Sequence, residues 1–177
     1  MSAADHPEGS GMMTAMELHE VQDYDADPDA VFAMFCDQTW REEVCRATHA
    51  IDYSVSVEES DGGVTVRTTR VLPAKVPEPI KSMVGEHIEI IQTETWSATI
   101  DGSPRHADID VRIAQQPASM TGTMTLEPHG SGTRQTVVGD VRVKIPLLGR
   151  RLEPEIAKAI RAALDKEGEC ARAYLTG

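Results

Sequence analysis

Glu167 stands out in this 177-residue chain as a group able to do chemistry. Drawn on a helical wheel, the C-terminal segment places its carboxyl in the middle of an apolar stripe, flanked by Ala163, Cys170, Ala171 and Tyr174. An ionised carboxylate in an apolar interior is costly unless it is paired or protonated. One reading makes Glu167 a polar anchor inside a cavity, or an acid–base group with a raised pKa. The other opens the stripe to solvent near the helix end, or gives the acid an Arg or Tyr partner.

Glu94, Gln92 and Trp96 form a second constellation. They share one face of a strand expected over residues 86–98. Ile88 and Ile90 fall on that face and Ile91 on the other, so the register is ambiguous, and a bulge would resolve it. Facing inward, Glu94 and Gln92 are polar groups beside an aromatic wall. Facing outward, Trp96 is a partly covered surface residue.

Other patterns carry less. His106, Asp108 and Asp110 put three ligand-type side chains on one strand face. The intervening positions are all apolar, so that face reads as the solvated one. Asp23, Asp25, Asp27 and Asp29 superficially match a calcium loop, but Pro28 and Met34 stand where its Gly and closing Glu are needed. No nucleophile elbow, phosphate loop, HExxH or dinucleotide glycine pattern is present. The six histidines are scattered without a triad spacing. Cys36, Cys45 and Cys170 form no CxxC pair and read as small buried hydrophobes in a reducing compartment. No metal site, cofactor or catalytic residue is assigned.

These side chains need elements to hold them. Residues 1–14 are small and polar and read as a disordered tail ahead of a domain over 15–177. A strand is expected over 15–24. Asp27 and Pro28 then begin a helix with Val31, Phe32, Met34 and Phe35 on its apolar face. Thr39 and Glu42 match a capping box for a second short helix, with Val44, Cys45 and Ala47 inward. Period-two alternation marks strands over 51–58, 64–71, 105–114, 119–127 and 133–145. Turns fall at 61–63 and 129–132. The Pro-bounded segment 72–85 reads as a loop with one helical turn near 79–84, able to gate a cavity with Ile80, Met83 and Val84. A long helix begins between 148 and 155 and runs to about 175; Pro154 is tolerated only in its first turn. Its apolar stripe is read as Leu152, Ile156, Ala159, Ile160, Ala163, Leu164, Cys170, Ala171 and Tyr174.

Composition excludes several roles. The net charge of -12 argues against nucleic acid, whose phosphates demand a basic surface. It also opposes binding to anionic membranes. No stretch approaches the roughly 20 apolar residues of a membrane span. Residues 1–11 lack a basic region followed by an apolar one, so no secretory signal is expected. A soluble cytoplasmic protein, monomeric or weakly dimeric, is the expectation.

The order of strand, two short helices, six strands and one long helix resembles the START-like superfamily, also called helix-grip or polyketide cyclase/dehydrase-like. Three stretches carry the closer likeness: Asp27-Pro28-Asp29-Ala30-Val31-Phe32, Thr93-Glu94-Thr95-Trp96, and the run from Gly139 through Ile145, Pro146 and Leu147 to Gly149. Together they look like an uncharacterised actinobacterial family within that superfamily. The resemblance implies an α+β fold, with a seven-stranded curved antiparallel sheet wrapped around the C-terminal helix. It further implies an apolar cavity between the two, in a superfamily whose members bind lipids, sterols, hormones or polyketides, and some of which are cyclases. Fold alone does not set function.

The expected role is binding or carriage of a small lipid- or polyketide-like molecule in that cavity. Its candidate lining is Glu167, Glu94, Trp96, Met83, Met120, Met124, Val111, Ile160, Ala163 and Tyr174. The alternatives are a cyclase or dehydratase, with Glu167 or Glu94 moving protons, and a protein-interaction module with a filled core.

Overall fold

Ala107, Ile109 and Val111 alternate with His106, Asp108 and Asp110, and the strand they form turns the apolar set inward. The computed structural model describes residues 15–76, 78–100 and 103–177, without the side chains of Pro79, Ile80 and Met83. The expectation for residues 1–14 lies outside this range.

The same pleat logic builds one antiparallel sheet of seven strands. In chain order the elements are β1 (Met16–Tyr24), α1 (Pro28–Phe35), α2 (Gln38–Ala47), β2 (Asp52–Ser60), β3 (Gly63–Pro73), α3 (Glu78–Val84), β4 (His87–Ser97), β5 (Arg105–Ile113), β6 (Ala118–His129), β7 (Gly132–Val143) and α4 (Gly149–Thr176). The strands lie in the order β1-β7-β6-β5-β4-β3-β2. The expected α+β helix-grip architecture is the one observed. Gly63 shows what a hairpin can demand: its φ is +131°, and any Cβ would collide with the carbonyl of Trp96.

Register places side chains of different strands in common rows. One inward row runs Val66, Glu94, Ile109, Gly122, Gly139, Leu18 across β3, β4, β5, β6, β7 and β1. The next runs Thr68, Gln92, Val111, Met120, Val141, Met16, and beyond it stand Arg70, Ile90 and Ile113. The pairing of β4 with β3 and β5 is continuous through Ile90 and Ile91, so the expected bulge is absent. Ile91 simply lies on the outer face.

One helix cap and the place of one proline differ from expectation. Asp37 caps α2, its carboxylate accepting the Trp40 N–H at 2.7 Å; the Thr39–Glu42 box is not used. An aspartate two residues earlier takes the same orphan donors first, which leaves Thr39 exposed. Helix α4 begins at Gly149, and Pro154 lies in its second turn. The carbonyl thereby left without a helical partner belongs to exposed Arg150, where water can meet it.

The buried face of α4 is also turned, by roughly a fifth of a revolution, from the predicted stripe. Glu153, Ala157, Glu167, Gly168 and Ala171 are buried. Ala159 is exposed, and Tyr174 is 46% exposed. The reason lies in partners rather than apolarity. Glu153 accepts the N–H of Val143 at 3.1 Å, and Gly168 lets the helix close on Gln22 of β1. Gln22 in turn donates to the Leu164 carbonyl at 2.7 Å. Arg161 pairs with Glu20 of β1 at 2.6 Å.

Helix α4 therefore packs on β1, β7, α1 and α2. The core beneath is built around Leu18, Phe35, Trp40, Trp96, Met124 and Leu126, all fully buried. Each such side chain contributes about 1.5–3 kcal/mol of hydrophobic stabilisation.

Candidate functional site

Helix α2 buries Trp40, Arg41, Val44 and Cys45 along one side, so a cation enters the core among apolar neighbours. Arg41 is 3% exposed. Its Nε donates to the Phe35 carbonyl at 2.7 Å, at the end of α1. Its Nη1 and Nη2 donate to the two oxygens of Glu94, at 2.8 and 2.5 Å. The guanidinium also lies 5.1 Å from the Phe35 ring centre and 5.3 Å from that of Trp40. Burial works against its charge, but Glu94 and then Glu167 outweigh that and raise its pKa.

Glu94 is saturated. Besides Arg41, it accepts Gln92 Nε2 at 2.8 Å and Trp96 Nε1 at 3.2 Å. Gln92 Oε1 accepts Nη2 of a second buried arginine, Arg70, at 3.2 Å. Polar groups thus run across the concave face from Arg70 through Gln92 and Glu94 to Arg41. A carboxylate holding four donors is a structural anchor and has no lone pair free for proton transfer.

Glu167 reaches the other side of Arg41, with Oε2 3.7 Å from Nη1. Burial pushes its pKa up to about 7; Arg41 pulls it down, and Glu94 adds to the rise. Glu167 is thus buried, raised in pKa and beside an arginine. Nearby, the Tyr24 hydroxyl donates to Gln135 Oε1 at 2.7 Å. Burial, and then the charge of Glu167, raise the tyrosine's pKa.

The other candidates scatter. Trp96 is buried against Phe32, ring centres 5.3 Å apart at a steep angle. Met120 and Met124 are core residues, and Met124 Sδ accepts Gln135 Nε2 at 3.3 Å. Val111, Ile160 and Ala163 are half-buried. Tyr174 turns to solvent and lines nothing, a correction that follows from the rotation of α4. The Met83 side chain lies outside the described residues. His106, Asp108 and Asp110 face outward, Asp110 holding Arg112 at 2.6 Å. Among the described residues no group of acids, histidines or cysteines could hold a metal ion. Asp27 caps α1, and Asp23 and Asp29 pair with Arg134 and Arg105. The three cysteines are free thiols, raised in pKa by burial, Cys36 to about 11.

Arg41 and Arg70 are the residues that sequence reasoning missed. The signal was available: Trp40, Arg41, Val44 and Cys45 share one side of a short helix, the same pattern that singled out Glu167.

Space is distributed unexpectedly. A hollow of about 310 Å³ lies on the outer face of β4–β6, among Thr93, Thr95, Asp108, Asp110 and Thr121. Another, of about 200 Å³, lies by the β2–β3 hairpin beside Phe32. Neither is the enclosed cavity expected under α4. Yet the inner face of β2–β5 is incompletely covered. Tyr53, Val55, Ile88, Ile90, Val111 and Ile113 point inward and stay half-buried, because α4 is drawn toward β1 and β7. No described helix is long and apolar enough to cross a membrane.

Known proteins supply the context. A family model described as "Protein of unknown function (DUF2505)" matches residues 20–175. A search of curated proteins finds no match. Among solved structures, a STAR-related lipid transfer protein fragment from Xanthomonas axonopodis is 14% identical with a TM-score of 0.62, covering 99% of this chain and 98% of that one. A protein from Thermus thermophilus is 17% identical with a TM-score of 0.61, covering 90% and 99%. Norcoclaurine synthase from Thalictrum flavum is 11% identical with a TM-score of 0.56, covering 99% and 98%. At these identities the likeness is one of fold, and the fold is the START-like one that the sequence resembles.

Proposed function

Since the chain belongs to the DUF2505 family, whose description assigns no function, we propose from its own geometry that it binds or carries a small hydrophobic molecule. The site is the concave face of β2–β5, under the part of the sheet that α4 leaves open. One observation carries the reading: apolar side chains of β2, β4 and β5 point into the fold and remain only half-buried. Such a surface is costly in water and gains free energy when an apolar ligand covers it. Two of the similar structures, a STAR-related lipid transfer protein and norcoclaurine synthase, support small-molecule binding by a protein of this fold.

Residues bordering that face include Val111 and Ile160, with Gln92 and Arg70 as its polar groups. Trp96, Met120, Met124 and Glu94 serve instead as the packed floor. A cyclase-type reading needs a second free titratable group beside Glu167, and Glu94 is committed to Arg41. Its three free thiols support a reducing, cytoplasmic setting, in which we take it to act as a monomer or weak homodimer. Native mass spectrometry of freshly purified protein, followed by solvent extraction, tests the reading. A co-purifying apolar molecule at stoichiometric level supports it. An empty protein that also fails to take up a neutral apolar dye defeats it.

A further inference from the structure

Arg70 is a buried cation with no acid in ion-pair contact among the described residues; its charge acts on Glu167 only at longer range, lowering that acid's pKa. It rises from β3 into the concave face, paired across the sheet with Tyr53 of β2 and Ile90 of β4, and is 8% exposed. Its described contacts include one hydrogen bond, from Nη2 to Gln92 Oε1 at 3.2 Å. Its Nε–H is sealed from solvent and has no partner among the described residues. No described carboxylate lies within ion-pair distance of it. Both buried acids of this region, Glu94 and Glu167, face Arg41 instead.

That distribution is uneven in a way core packing does not explain. A guanidinium keeps its proton in a protein and carries five N–H donors. Burying it with one neutral acceptor among the described residues, and Glu167 only at longer range, leaves its desolvation partly uncompensated. Arg41, by contrast, has acceptors for Nε, Nη1 and Nη2. The missing acceptor is an oxyanion, and the surrounding side chains, Tyr53, Ile90 and Ile113, are apolar or aromatic and half-buried.

We propose that Arg70 receives the carboxylate head group of the bound molecule, so that the ligand is an amphipathic acid whose chain lies along the inner face of β4 and β5. This rests on the ligand-binding reading above and names its substrate class. One guanidinium matches the single charge of a carboxylate and its two oxygens. A phosphate would bring a second charge close to Glu94, which lies one glutamine away. Gln92 orients the pair: its Oε1 accepts from Arg70 while its Nε2 donates to Glu94, which fixes the amide and the guanidinium together. Because Nε is sealed in this structure, the guanidinium turns on binding to present Nε and one Nη to the ligand.

The test uses three probes of equal chain length, dodecanoate, methyl dodecanoate and dodecyl phosphate, each displacing the neutral dye Nile red from the whole protein. Wild type should bind dodecanoate at least about tenfold tighter than the ester, the value of one charge-assisted pair. Arg70→Met should bring the acid to the level of the ester, while Arg70→Lys should keep part of the preference. Equal affinity for acid and ester in wild type, tighter binding of the phosphate, or a preference that survives Arg70→Met would each overturn the assignment. The wild-type comparison stands without the variants, should they fold poorly. Failure of the dye and all three probes to bind would overturn the ligand-binding reading itself; ester binding equal to acid binding would overturn only the role of Arg70.

Discussion

Arg41 of α2 grips Glu94 of β4 through two parallel hydrogen bonds of 2.8 and 2.5 Å, with the two side chains 3% and 1% exposed. The pair joins the short helices to the middle of the sheet across the full depth of the core. It also decides what Glu94 and Glu167 can do: the first is consumed as an anchor, and the second is left as the titrating member of the trio.

Breaking this pair should be severe. Arg41→Met leaves Glu94 buried without its counter-charge and should cost about 3–5 kcal/mol. The double variant Arg41→Met with Glu94→Gln should recover a large part of that loss, since it removes both charges. Urea unfolding of the four proteins in the cycle measures the coupling. A single-variant cost below about 1 kcal/mol would show that the pair is not desolvated as described.

Glu167 makes stability depend on pH in a stated direction. Its folded pKa, about 7, lies above the ordinary value of 4.5. Between those values the folded protein holds a proton that the unfolded chain has released, so this group's contribution to stability falls as pH rises through the window. Glu167→Gln removes the effect. The variant should gain about 1–3 kcal/mol on wild type at pH 8 and little at pH 4.5. Unfolding curves at pH 4.5, 6 and 8 decide it; a difference independent of pH would contradict the raised pKa.

The cap of α2 offers a clean contrast between two neighbouring residues. Asp37→Ala removes the acceptor of the Trp40 N–H and should cost about 1 kcal/mol. Thr39→Ala, at an exposed position, should change stability by less than about 0.5 kcal/mol. Chemical denaturation of both variants checks the order, and a reversed order would restore the capping box.

Filling the open face should block binding without unfolding the protein. Ile90 is half-buried beside Arg70, so Ile90→Trp places a larger side chain on the proposed binding face. Nile red affinity should fall about tenfold or more, while the cost in stability stays within the usual range for overpacking, about 1–3 kcal/mol. Unchanged dye affinity would place the site elsewhere.

Much of the architecture was legible in the residues alone. Alternation such as Ala107, Ile109 and Val111 against His106, Asp108 and Asp110 reports which face is buried, because a pleated strand has a fixed period of two. Asp27 with Pro28 marks the start of α1 for an equally local reason. Glu167 was visible as an acid in an apolar stripe. Its partner was not, because Arg41 lies 126 positions away and the pairing depends on how α2 and α4 cross the same sheet.

What the amino-acid order determined by itself is the set of elements and their sequence along the chain, since these follow from short-range periodicity, capping and turn chemistry; the START-like fold was implied by the resemblance of that order and its motifs to a known superfamily. Tertiary structure decided which side of α4 is buried, that Glu94 is an anchor rather than a base, and that Arg70 stands unpaired. Those outcomes depend on contacts such as Gly168 with Gln22 and Arg41 with Glu94, whose partners come from distant strands. Charge pairing in a low-dielectric interior is settled by distances of a few ångströms, and only the folded chain sets them.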